Sequence, residues 1–199
     1  MQTPILFRLT ALFITVAGVL TSSHGGEAPP PPTLIAAVVG LRDAVSGLPE
    51  EILHGDRSAQ RSQARAERKL ARAVEIAMSD VHASEVKAYS RAASAVANLI
   101  KSGLNTLFDE EVEAFVAAAR ASARSSVASV AEKVDVYDDA LGFLGRRVAR
   151  IQTLEHKLDE FLLADDLLRF LKRTTAVLRK STKLTRQAEK IIDRIMAAI

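Results

Sequence analysis

From Glu50 to Ile199 the chain contains no proline and only four glycines, Gly55, Gly103, Gly142 and Gly145. Proline disrupts a helix interior and glycine weakens one, so a run of this length leaves few places where helices must stop. Alanine, the strongest helix former, occupies roughly one position in six of the chain. The run therefore predicts long helices joined at a handful of corners.

Apolar spacing gives those helices faces. Thr33 caps a first helix, Leu34 to Ser46, whose Leu34, Val38, Leu41 and Val45 form one stripe ending at Gly47. Leu48 to Leu53 reads as a single helical turn with Pro49 at its start, stopped by Gly55, and Asp56 caps the next helix. That second helix is expected over Arg57 to Ser102, with one seam through Leu70, Val74, Ala88, Ala95 and Leu99 and a neighbouring seam through Val86, Tyr89, Ala93, Val96 and Ile100. Two adjacent seams require two neighbours. A third helix starts at Thr106, where Thr106 and Asp109 read as a capping box, and runs through Val127, Val130, Val134, Tyr137 and Leu141; Asp135–Asp139 could end it early, but a late break at Gly142 or Gly145 is favoured, with room for a kink at the aspartates. The last helix, Arg146 to Ile199, changes register across Ala164-Asp165-Asp166, a stutter or a fourth corner, and resumes as Leu167, Phe170, Thr174, Val177, Ser181, Leu184, Ala188 and Ile191. The expected fold is all-α: an elongated antiparallel bundle of three long helices with a short N-terminal helix packed at one end.

Ahead of the helices, residues 1–25 read as a secretory signal peptide. Arg8 precedes an apolar run from Leu9 to Leu20, and small residues allow cleavage after Ser23 or Gly25. The run is shorter than the ~20 residues of a spanning helix, so no transmembrane span is expected once the leader is removed. Residues 26–32 form a proline-rich spacer and residues 33–199 the helical domain. Export with no cysteine means the fold relies on packing alone. Asn98 and Asn105 lack a Ser or Thr two residues on, so no N-glycan is expected.

Site chemistry is sparse. No two of His24, His54, His82 and His156 share a helical face at i, i+3 or i, i+4, and paired acids such as Asp138-Asp139 and Asp165-Asp166 diverge around a helix. Phosphate-binding glycine signatures are absent from the sequence, and its one Glu-x-x-His spacing, Glu51 to His54, has no second copy with which to bridge a metal. The expectation is a non-enzyme with no catalytic residue, no metal and no cofactor. Basic stripes are the stronger signal. Arg57, Arg61, Arg65, Arg68 and Arg72 share one face of the second helix, and Lys172, Arg173, Arg179, Lys180, Lys183 and Arg186 recur along the last, which also carries Arg169, Lys190 and Arg194. Such faces suit an anionic surface, glycan or lipid headgroups, or an unidentified protein partner. With a formal net charge of only +3 and 5% aromatic residues, nucleic acid is not an expected partner. The alternative to contact with a partner is that these stripes are the solvated face of a bundle.

A leader, a short spacer and the alanine-rich, cysteine-free helices of Thr33 to Ile199 together resemble the alanine-rich helical-bundle surface proteins of trypanosomes, the glutamic acid/alanine-rich and bloodstream alanine-rich proteins. That resemblance implies a rod in a cell-surface coat, held by a glycolipid anchor. The sequence departs from it at Ile191 to Ile199, where Asp193 and Arg194 interrupt the apolar tail that anchoring needs. The functional expectation is a secreted or cell-surface structural or interaction protein, with a peripheral lipid-binding protein as the alternative.

Overall fold

The computed structural model describes residues 33–79 and 84–198. The expected leader and the whole spacer lie outside the described residues. Helices make up the fold: α1 (Leu34–Ser46), α2 (Arg57–Ala77), α3 (Ser84–Lys101), α4 (Asp109–Val136), the single turn α5 (Asp138–Leu141), α6 (Gly145–Leu163) and α7 (Leu167–Met196). Short 3-10 turns occupy Glu50–Leu53, Asn105–Leu107 and Gly142–Leu144. No strand is present among the described residues. All belong to one unit, Pro31–Ile199.

The all-α class holds, but its helices are shorter and more numerous than three long ones. Where one helix was expected from Arg57 to Ser102, α2 ends at Ala77 and α3 starts at Ser84, and the two fold back along each other. Lys69 of α2 donates a 2.7 Å hydrogen bond to Ser94 of α3 across that hairpin. An unbroken helix would be roughly 70 Å long at 1.5 Å per residue, whereas α4, with 28 residues, is about 42 Å. Folding back lets Ala66, Leu70 and Ala73 share a core with Ala92, Ala95 and Leu99, all fully buried. Small side chains permit the close approach.

The last helix is likewise two. Asp165 sits at φ 53, and the Asp166 N–H donates to the carbonyl of Phe161 at 2.8 Å, closing α6 with a Schellman turn. Asp166 then caps α7 by accepting from the Arg169 N–H at 3.0 Å. Of the two readings, stutter or corner, it is a corner. Gly103, at φ 70, closes α3 in the same way, with the Leu104 N–H on the Leu99 carbonyl. The third expected helix breaks at Tyr137 (φ −115, ψ 37), not at the glycines alone, and Tyr137 is exposed instead of continuing the buried stripe.

Two local expectations are also corrected. No capping box forms at Thr106: α4 begins at Asp109 behind Phe108, which is buried and offers no side-chain cap. Burial of that ring outweighs a hydrogen bond at the surface. Nor does α1 sit at one end. It runs along α2, with Gln63 donating to the Val45 carbonyl at 3.0 Å, and it also packs against α4. The caps read at Thr33 and Asp56 are present, accepting from Ala36 and from Ser58 and Ala59.

The core is continuous from Leu34 to Ala188. Within it Tyr89 (α3) stacks on Phe115 (α4), with ring centroids 5.5 Å apart and planes within 11°. Burial pushes the Tyr89 hydroxyl pKa well above its ordinary value, an effect only partly offset by a hydrogen bond with Thr174. Tyr89 therefore stays neutral and structural.

Candidate anion-binding face

Helix α7 turns Phe170, Thr174, Val177, Ser181, Leu184 and Ala188 inward at alternating three- and four-residue steps. Its other positions carry most of its cations, and the packing of α3 on one side and α6 on the other decides what those cations face. Between α7 and the start of α3, Lys87, Arg179, Lys183, Arg186 and Lys190 line a groove of about 440 Å³ together with Val86, Thr182 and Gln187. Between α7 and α6, Arg147, Arg150, Lys180 and Lys183 line a second, of about 260 Å³, over the buried Ile151 and Leu184. A third, of about 390 Å³, follows α3 past Lys87, Ser90, Arg91 and Ser94 to Arg179.

These grooves adjoin one another. Lys183 and Gln187 belong to the first and second, and Val86, Lys87 and Arg179 to the first and third. No carboxylate among the described residues lines any of the three. The acid on α7 nearest to them in sequence, Glu189, pairs instead with Lys133 of α4 at 2.5 Å. Positive character reaches α2 as well: partial burial, and then Arg65, Arg91 and Lys101, lower the pKa of Lys69.

All eleven basic residues singled out by the sequence are exposed. Arg179, Lys180, Lys183 and Arg186 line the adjoining grooves. Lys172 and Arg173 lie nearer the start of α7 and line none of the three. The α2 stripe is not joined to the α7 stripe through these grooves: Arg72 pairs with Glu75 at 2.5 Å, Arg68 bonds the Ala64 carbonyl, Arg65 lies near Lys69, and Arg57 and Arg61 face solvent. Sequence reasoning missed Lys87 and Arg91 of α3 and Arg147 and Arg150 of α6. Their i, i+4 and i, i+3 spacings were visible, but only the return of α3 along α2 and the packing of α6 bring them beside α7.

Among the described residues, no three His, Asp or Glu side chains gather as a metal site requires. His54 is exposed, and His156, also exposed, has its Nδ1 3.7 Å from Glu155 Oε2. None of the described helices is long and apolar enough to cross a membrane. Comparison with protein-family models, with curated proteins and with solved structures finds no match for this chain.

Proposed function

We propose that this protein is a non-catalytic helical interaction module that attaches to an anionic surface through the adjoining basic grooves of α3, α6 and α7. The observation that carries this reading is the set of nine cations, from Arg91 through α7 to Arg150, lining three adjoining grooves; the neighbouring carboxylate, Glu85, lines the next depression instead, past Val86 and Thr182. Gathering like charges costs free energy, and an anionic partner recovers that cost. The leader expected at residues 1–25 would place the face outside the cell, in keeping with a secreted or cell-surface role, including that of a coat component.

The lipid-binding alternative draws on one further observation. Val136, Tyr137 and Phe143 are exposed apolar side chains around the α4–α6 connection. They stand among Asp135, Asp138 and Asp139, however, and anionic headgroups repel such a site.

Binding of the whole chain to sulfated-polysaccharide beads, anionic vesicles and neutral beads at about 0.15 M salt tests the proposal. Retention on at least one anionic surface is expected, with release when Arg179, Lys183 and Arg186 are changed to Gln. Retention on none, or equal release when Arg57, Arg61 and Arg68 are changed instead, would remove the grooves from the function.

A further inference from the structure

We infer that the occupant of the basic grooves is a single linear sulfated polysaccharide lying along α7 between α3 and α6. This rests on the anionic-surface reading and narrows it from any such surface to one ligand class.

Shape is the first argument. The cations stand on the walls of depressions that flank α7, with Lys183 and Gln187 on the crest shared by the first two. From Arg179 to Lys190 alone, α7 contributes about 17 Å at 1.5 Å per residue. A chain of regularly spaced anionic groups can follow these depressions, whereas a flat bilayer meets only their rims. A membrane-docking face also needs apolar side chains that project into the lipid beside the cations. None of the exposed large apolar residues lines the three grooves. Charge and projecting apolar surface are kept apart.

The second argument is the chemistry between the cations. Thr182 and Gln187 alternate with Lys183, Arg186 and Lys190 in the first groove, and Ser90 and Ser94 flank Arg91 in the third. Gln187 Oε1, Ser90 Oγ and Ser94 Oγ already accept from Arg147, Arg179 and Lys69, but their amide and hydroxyl hydrogens can still donate to sugar oxygens, while Arg and Lys take the sulfates. Single-stranded nucleic acid would need ring faces for its bases, and no aromatic residue lines any of the three grooves.

The test titrates the full chain with heparin-derived oligosaccharides of increasing length, with desulfated heparin, with phosphatidylserine vesicles and with single-stranded DNA. Affinity should rise with oligosaccharide length and fall sharply on desulfation. The triple variant K183Q/R186Q/K190Q should bind roughly a hundredfold more weakly, at about fivefold per cation. An equal loss of charge on α2, R57Q/R61Q/R68Q, should cost less than about fivefold. Circular dichroism checks the fold of both variants. Lysine acetylation of the unaltered protein gives an independent reading: bound heparin should shield Lys87, Lys183 and Lys190 and leave Lys157 of α6 reactive.

Binding to vesicles without binding to oligosaccharides would overturn the polysaccharide and leave the anionic-surface reading standing. Indifference to sulfation, equal affinity for DNA, or shielding of Lys157 alongside the groove lysines would also overturn it. Binding to none of the four probes would overturn both.

Discussion

Where α4 meets α6, every cation in the cluster has an acid. Arg124 holds Glu155 at 3.1 Å and Asp159 at 2.8 Å, and Arg120 comes within 2.7 Å of Asp159 Oδ1, off the line of a hydrogen bond. Glu155 is buried there. Where α7 meets α3 and α6, cations of the same kinds face one another across open grooves. One face uses charge to join two helices, and the other leaves charge available to something outside the chain. Ion pairs that bridge elements lose more when one partner is removed than exposed single charges do. The two faces should therefore answer differently to substitution, salt and pH.

The core that the faces share sets the upper scale. Phe115 is fully buried and stacked on Tyr89, so Phe115→Ala should cost about 3–5 kcal/mol in denaturant unfolding. On the paired face, Asp159→Ala takes the acid from both arginines and leaves the buried Arg120 Nε without compensation. With both side chains 37% exposed, the expected loss is about 1–2 kcal/mol, reduced from that of a fully buried pair. A loss near zero would mean that the clamp is decorative and that the contrast between the faces fails.

Helical class, both caps, the inward stripe of α7 and both seams on either side of the α2–α3 break were legible, because each is set by local spacing. Leu70 and Leu99 are buried whether the chain between them is straight or folded back. For the same reason the break itself was hidden. Ser79 and Asp80 favour turns, but neither interrupts the apolar pattern as a proline would. Asp165 showed as a register change because the corner there displaces the stripe. Tyr137 did not, because its spacing fitted the stripe that it leaves. The α7 half of the candidate face was readable as a basic stripe, while the contributions of α3 and α6 depended on long-range packing that no single-helix periodicity encodes.

The open face should tolerate neutralisation. Lys183→Gln and Arg186→Gln should each change stability by less than about 0.5 kcal/mol, since neither residue holds an ion pair. At low ionic strength both should stabilise slightly by relieving repulsion, and about 1 M salt should erase the gain. The same salt should weaken the α4–α6 clamp, so thermal melts of Asp159→Ala and Lys183→Gln should approach the wild-type curve from opposite sides. Destabilisation by Lys183→Gln would show that its charge serves the fold.

Lys69 gives the finest test, because burial and the cations crowded around it lower its pKa. Burial, then Arg65, Arg91 and Lys101, hold its folded-state pKa below the ordinary 10.5. At neutral pH the ammonium is charged in both states and the folded chain bears the repulsion. As pH rises from the lowered value toward 10.5, the folded chain sheds this proton while the unfolded chain still holds it, so stability contributed by this group rises with pH. Lys69→Gln removes the effect. The variant should be slightly more stable than wild type near pH 7 at low salt, with the difference closing as pH approaches 10.5, measured as the gap between their urea midpoints. A gap that does not close with pH would assign the gain to the new glutamine side chain, not to lost repulsion, and would confine the unmatched surface to α3, α6 and α7.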